Sequence, residues 1–254
     1  ASIVILCANG IGTPRLLLLS ATSRFPDGLA NSSGLVGKRL MMHPFSAVQA
    51  TFDEDLESWR GPFGQNIASF EFYESDASRG FVRGAKWGIM PAGGPLGATS
   101  FVGSTVFTDP NAKVEDMWGT NLHDMVERRF GRSMVWGIIG EDLPEESNQV
   151  LLDPDLTDSD GIPAPKLLYK VSENSERMLK FNEERCVEAC LAGGAIETNV
   201  VHQMPDTGWH LLGTCLMGND PKSSVVDQWG ATHDVPNLYI LDGSTFPTSA
   251  GLNP

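Results

Sequence analysis

GWHLLGTCLMG at 208–218 and PNLYILDGSTFPTSAGLNP at 236–254 are the stretches on which the fold turns. In both, short apolar segments are cut by Gly, Pro, Asn and Asp, which predicts short buried strands alternating with turns, with SSVVD at 223–227 as another such segment. His210 sits between apolar neighbours. Taken alone it reads first as a structural histidine and second as an acid–base group, because an imidazole serves either purpose.

The same character returns at the opposite end of the chain. Ser2 to Cys7 is a short apolar run rich in β-branched residues, followed by ANGIG at 8–12 and TPRLLLLSA at 13–21. The pattern predicts a strand, a tight turn and a helix with Thr13 as N-cap and Pro14 at the first helical position. Such a turn presents backbone N–H groups at a helix N-terminus, where anions are held. Gly10 and Gly12 do not complete a GxGxxG, so a structural turn and a ligand-binding turn both stay open.

Between these ends, FSAVQATF (45–52), IASFEFY (67–73) and TSFVGSTVF (99–107) predict strands of a largely antiparallel sheet. Val114, Met117, Trp118, Leu122 and Met125 recur at helical spacing, and SMVWGIIGE (133–141) predicts a further strand. The turn-rich run 142–171 predicts two more short strands. Ser172 is placed to cap a helix whose apolar face carries Leu179, Cys186, Val187, Cys190 and Leu191, and Gly193-Gly194 end it. The predicted class is α+β through the middle of the chain, and the last segment returns to the character of the first.

Composition narrows the function. With 254 residues and 41% hydrophobic content the chain can bury a core. Against 32 Asp and Glu there are 18 Lys and Arg, a formal charge of −14 without clustered cations, which argues against nucleic acid as a partner. No apolar run approaches the roughly 18 to 20 residues that a membrane span requires. The four cysteines contain no CxxC, no Cys/His set has metal spacing, and Cys186 and Cys190 read as core thiols. GxSxG, HExxH and GxxxxGK[ST] are all missing, and EDLPEE (141–146) reads as a solvated loop before it reads as a carboxylate pair. Trp87, Phe101, Trp136 and Trp209 are candidates to line a pocket, with core packing the first reading of each.

The joint order His-x-x-Gly-Thr-x-x-Met-Gly, Val-Val-Asp, Asn-Leu-Tyr-Ile-Leu-Asp-Gly-Ser-x-Phe-Pro and Gly-x-Asn-Pro resembles the C-terminal segments of the glucose-methanol-choline (GMC) oxidoreductases. ANGIGTPRLLLLS resembles the second signature of that family, with Asn9 and Gly10 where Gly and Ala are usual and Ala21 where Gly is. GLVGKRLMMHP (34–44) resembles the stretch that follows it. The resemblance implies FAD as cofactor and hydride transfer from an alcohol, polyol or sugar acid, with His210 as the base that takes the hydroxyl proton. It implies Asn253 as the second active-site residue, orienting the substrate oxygen. Ala8, Asn9 and Gly10 would lie along the flavin from one side. Asp242 and Gly243 would approach its ribityl and pyrophosphate, and Asn253-Pro254 would open a helix facing its ring. Segments 1–44 and 206–254 would then be parts of an FAD-binding domain, and 45–205 a substrate domain.

The family's GxGxxG cradle belongs to an N-terminal half that this sequence does not carry, so the resemblance implies that half as partner and predicts that this chain alone does not hold FAD tightly. Two other readings stand beside it: a catalytically silent binding module, and a lyase of the same fold with His210 as acid–base. No metal is implied, and the electron acceptor is left open.

Overall fold

A computed structural model of the chain describes residues 1–60, 67–91, 119–204 and 209–254. In chain order the elements are β1 (Val4–Leu6), α1 (Asn9–Leu19), β2 (Phe45–Phe52), β3 (Ile67–Ser69), β4 (Ala85–Pro91), α2 (Thr120–Arg129), β5 (Ser133–Gly140), β6 (Gln149–Thr157), β7 (Pro163–Leu168), α3 (Glu173–Ala192), β8 (Ala195–Val201) and β9 (Leu238–Ile240). The mixture is α+β. The chain divides into two compact units, one formed by 1–43, 142–172 and 208–254, the other by 44–141 and 173–207. The segment 142–172, read from sequence as part of the middle, packs in the structure with the two ends of the chain.

The second unit is built on a five-stranded antiparallel sheet in the order β3-β4-β5-β2-β8. The two-residue alternation of a strand decides its faces. Val48 and Ala50 of β2 point to one side and join Trp87, Ile138 and the α3 residues Met178, Leu179, Cys186 and Cys190 in a core, while Ala47 on the other side packs with Val135 and Val201. Met178 and Leu179 are fully buried, each contributing about 1.5 to 3 kcal/mol. Polar groups in this core are paired: Trp87 Nε1 donates to Asn182 Oδ1 at 2.8 Å, and Asn182 Nδ2 donates to the Met178 carbonyl at 2.8 Å. A hydrogen bond to Cys190, together with burial, pushes the Cys186 thiol up. Leu191, expected on the apolar face of α3, is exposed in the last turn of the helix. The helix expected from Val114 to Met125 is observed as α2, starting at Thr120, while Val114, Met117, Trp118, Phe101 and TSFVGSTVF lie outside the described residues.

In the first unit β1 and β9 run parallel, Ile5 opposite Tyr239, and β6 and β7 form an antiparallel hairpin. Arg15 of α1 holds the hairpin's turn, with Nε on the Pro163 carbonyl at 2.9 Å and Nη2 on Asp158 at 2.8 Å; that hydrogen bond holds the Asp158 carboxyl below its ordinary range. The core gathers Leu17, Leu35, Val36, Cys215, Val225, Val226, Leu238 and Ile240. The strands expected in 208–227 are isolated bridges, Met41 with Leu212 and Met217 with Val226, although Leu212, Cys215, Leu216, Val225 and Val226 are buried as expected. Among the described residues no helix is long and apolar enough to cross a membrane.

Candidate active site

All the elements of the site belong to the first unit. Helix α1 begins at Asn9, four residues before the expected cap at Thr13. Asn9 has a left-handed backbone (φ 64°), a conformation for which Asn is the best-tolerated residue after Gly, so its place in a motif that usually has Gly follows from the fold. Its Oδ1 accepts from the N–H groups of Ile11 (2.9 Å) and Gly12 (3.2 Å), which occupies donors that the sequence left open for an anion. Thr13, inside the helix and fully buried, accepts from Ala8 N–H at 3.1 Å and donates to Asp242 Oδ2 at 2.5 Å; Asn9 N–H reaches the same oxygen at 3.1 Å. Asp242 Oδ1 accepts from Ser244 N–H at 2.8 Å and so caps the 3₁₀ turn Gly243–Thr245.

Pro14 has no N–H to give the Gly10 carbonyl one helical turn earlier. That carbonyl is instead bonded by Thr214 Oγ1 at 2.8 Å, and Thr214 is fully buried. The backbones close in further at Leu211. A Cβ on Gly10 would lie 2.4 Å, and one on Gly243 2.7 Å, from the Leu211 carbonyl oxygen, so only glycine permits either approach. Leu212 and Met41 exchange N–H···O bonds of 3.0 Å each way, and two residues further along each segment the rings of His43 and His210 meet edge to face, with centroids 4.8 Å apart and planes at 78°. His43 is buried; burial also pushes the Cys215 thiol up.

These contacts frame a pocket of about 540 Å³, open on one side. Six of the residues singled out from sequence line it: His210, Asn9, Asp242, Gly243, Pro254 and the pocket candidate Trp209. Trp209, Leu241 and Phe246 add large apolar side chains, and Trp209, read first as core, is 68% exposed. Gly10 lies behind the wall against Leu211, and Ala8 is tied to Thr13. Asn253 is exposed beside Pro254, and neither is in a helical turn. Trp87 and Trp136 pack in the core of the other unit. His43 and Thr214 were not singled out from the sequence, although His43 stands in the quoted MMHP and Thr214 in HLLGT. Among the described residues no group of His, Cys, Asp and Glu is arranged to hold a metal ion.

The C-terminal model of the GMC oxidoreductases matches residues 144–254. Over 257 residues the chain is 43% identical to the 2-methyl-1,2-propanediol dehydrogenase of Mycolicibacterium austroafricanum, matching along its whole length and covering 45% of that protein. The fructose dehydrogenase large subunit of Gluconobacter japonicus is 30% identical over 253 residues, again along the whole chain and 44% of the relative. The fold resembles the crystal structure of pyridoxine 4-oxidase from Mesorbium loti, with a TM-score of 0.55 at 16% identity over 98% of this chain and 47% of that one. The chain thus spans less than half the length of the curated relatives it matches. By these matches the chain is similar to the C-terminal part of the GMC oxidoreductases.

Proposed function

We propose that this chain is the part of an FAD-dependent oxidoreductase that carries the catalytic base, and that the enzyme oxidises the CH–OH group of a small alcohol or polyol. The observation that carries the reading is that His210 lines one pocket with Asn9, Asp242, Gly243 and Pro254. The names of the two relatives, dehydrogenases of a diol and of a ketose, favour hydroxyl-rich substrates.

The residues present fit a flavin. Trp209, Leu241 and Phe246 give the pocket exposed apolar surface of the kind a planar ring covers, and one acceptor position on Asp242 Oδ1 is left beyond the Ser244 N–H for a hydroxyl. When bound, FAD supplies the acceptor for the substrate hydride. The chain's own task is the proton. The His210 imidazole takes it from the hydroxyl as the C–H bond weakens, and the edge contact with His43 limits the ring's rotation from one side. Asn253, exposed next to Pro254 of the pocket wall, would be the group whose side-chain amide orients the substrate oxygen.

The test uses the intact protein without oxygen. A panel of vicinal diols and sugars is mixed with it and the visible flavin band is followed. At least one member is expected to bleach the band, and His210→Ala to slow bleaching by about 10²- to 10⁴-fold with flavin content unchanged. A flavin band that no member of the panel bleaches, or a His210→Ala protein that bleaches at the unaltered rate, overturns the proposal.

A further inference from the structure

Asp142 lies outside the pocket wall, is only 2% exposed, and takes no part in the chemistry described so far. Three donors converge on its carboxylate. Tyr169 Oη (2.7 Å) and Met42 N–H (3.1 Å) both reach Oδ2, and Leu143 N–H (2.9 Å) reaches Oδ1. Its main chain is engaged as well: the Asp142 N–H donates to Ser249 Oγ at 2.6 Å, and that hydroxyl donates to the Asp142 carbonyl at 3.2 Å. Ser249 is itself buried. One residue thus ties together stretches of chain around 42, 142, 169 and 249.

Two of these stretches lead to the site. Met42 immediately precedes His43, whose ring packs edge-on against His210. With Met41 bonded both ways to Leu212, the Asp142 bond to Met42 fixes the two residues that immediately precede His43. Ser249 lies five residues before Pro254, which lines the pocket, with a bend at Gly251 and Leu252 between them. Burial and the neighbouring Asp142 charge push the Tyr169 hydroxyl well above its ordinary range, so it remains a donor. A fold staple would need some of these bonds; a staple that grips both arms of one pocket implies more.

We infer that Asp142 is a positioning residue for the reaction under Proposed function, on which this inference rests: it sets His43 against His210 and anchors the segment that leads to Pro254 in the pocket wall. It touches no substrate and acts through those two segments.

The experiment compares Asp142→Ala and Asp142→Asn in the intact, flavin-loaded protein, reading kcat and KM for the bleaching alcohol and, independently, the ring ¹³C signals of His43 and His210 in selectively labelled protein without substrate. Asp142→Ala is expected to move both ring signals and lower kcat about 10²-fold with KM within about threefold, since a displacement near 1 Å costs that much. Asp142→Asn keeps an acceptor oxygen for the Met42 amide, so it is expected to move the signals less, in the same direction, and recover kcat to within about tenfold. A folded Asp142→Ala protein with unmoved ring signals and unaltered kcat, changed only in melting temperature, overturns the inference; where that variant does not fold, the same result for Asp142→Asn overturns it. If no alcohol bleaches the flavin and yet the ring signals move, the reading of the reaction falls and the positioning of His210 stands. If turnover depends on His210 and the rings ignore Asp142, the opposite holds.

Discussion

Thr214 is the most informative single position for the architecture of the site. Its hydroxyl bonds the one α1 carbonyl that Pro14 cannot serve, and Val has nearly the same shape, so Thr214→Val removes the donor without opening a cavity. The Gly10 carbonyl is then left buried without its hydroxyl partner, a loss of about 1 to 3 kcal/mol. For a protein of this size each kcal/mol corresponds to about 2 to 4 °C, so melting is expected to fall by roughly 2 to 12 °C. A reciprocal change makes the origin testable. Pro14→Ala restores a backbone N–H directed at the same carbonyl, so in the Thr214→Val background it is expected to recover at least half of the loss, a coupling of about 1 kcal/mol. Circular dichroism melts of the wild type, both single variants and the double variant complete the cycle. Melting of Thr214→Val at the wild-type temperature, or additivity of the two changes within about 0.3 kcal/mol, would refute the argument that Thr214 stands in for the missing proline donor.

Two further outcomes follow from other contacts. Gly10→Ala drives a methyl to 2.4 Å from the Leu211 oxygen, where the obstacle is backbone and cannot rotate away; a loss of about 1 to 3 kcal/mol and slower flavin bleaching are expected, and an unaltered melt with an unaltered rate would contradict the close approach. Glu141 is held above its ordinary range by burial, opposed by a Tyr73 hydrogen bond and by Arg83 at 3.6 Å. Because the folded value is the higher one, its contribution to stability is present below the unfolded pKa and is lost as pH rises through the folded pKa. Glu141→Gln should therefore melt higher than wild type at neutral pH and converge with it below about pH 4; a gain that grows as pH falls is the opposite result.

The course of α3 was legible because its apolar spacing is local and its burial follows: Met178, Leu179, Cys186 and Cys190 face the sheet, and only Leu191, in the last turn, escapes. The start of α1 was not legible. Thr-Pro is a strong local start signal, but the helix starts at Asn9, whose N–H bonds Asp242, 233 residues away, and no local pattern carries that contact. His210 and Asp242 were legible through the order of motifs in the last 50 or so residues. His43 needed the ring contact itself, and Asp142 read as one acid among many in an acidic, turn-rich run until its three donors were in view. Residues 142–172 read as a continuation of the middle because nothing in their composition distinguishes the hairpin's partner; that partner is α1, met through Arg15.

The placement of His210 rests on glycines brought close to the residues that follow it. Leu211, its neighbour, has its carbonyl closed in by the glycine backbones of Gly10 and Gly243; Leu212 is bonded both ways to Met41; and Gly213, at φ 89°, donates to the Gly243 carbonyl at 3.1 Å while any Cβ there would meet the Arg39 carbonyl at 2.3 Å. The path of the main chain through 211–213 is therefore set by backbone on three sides, and larger residues at any of the three glycines would move it. What the main chain leaves open is rotation of the imidazole about its two side-chain torsions. The buried His43 ring, fixed through the peptide between Met42 and Leu212's partner, Met41, limits that rotation from one side while the pocket remains accessible on the other. If His210 is the base proposed above, backbone close packing and the His43 ring contact give it an orientation from which proton transfer proceeds without first ordering the side chain.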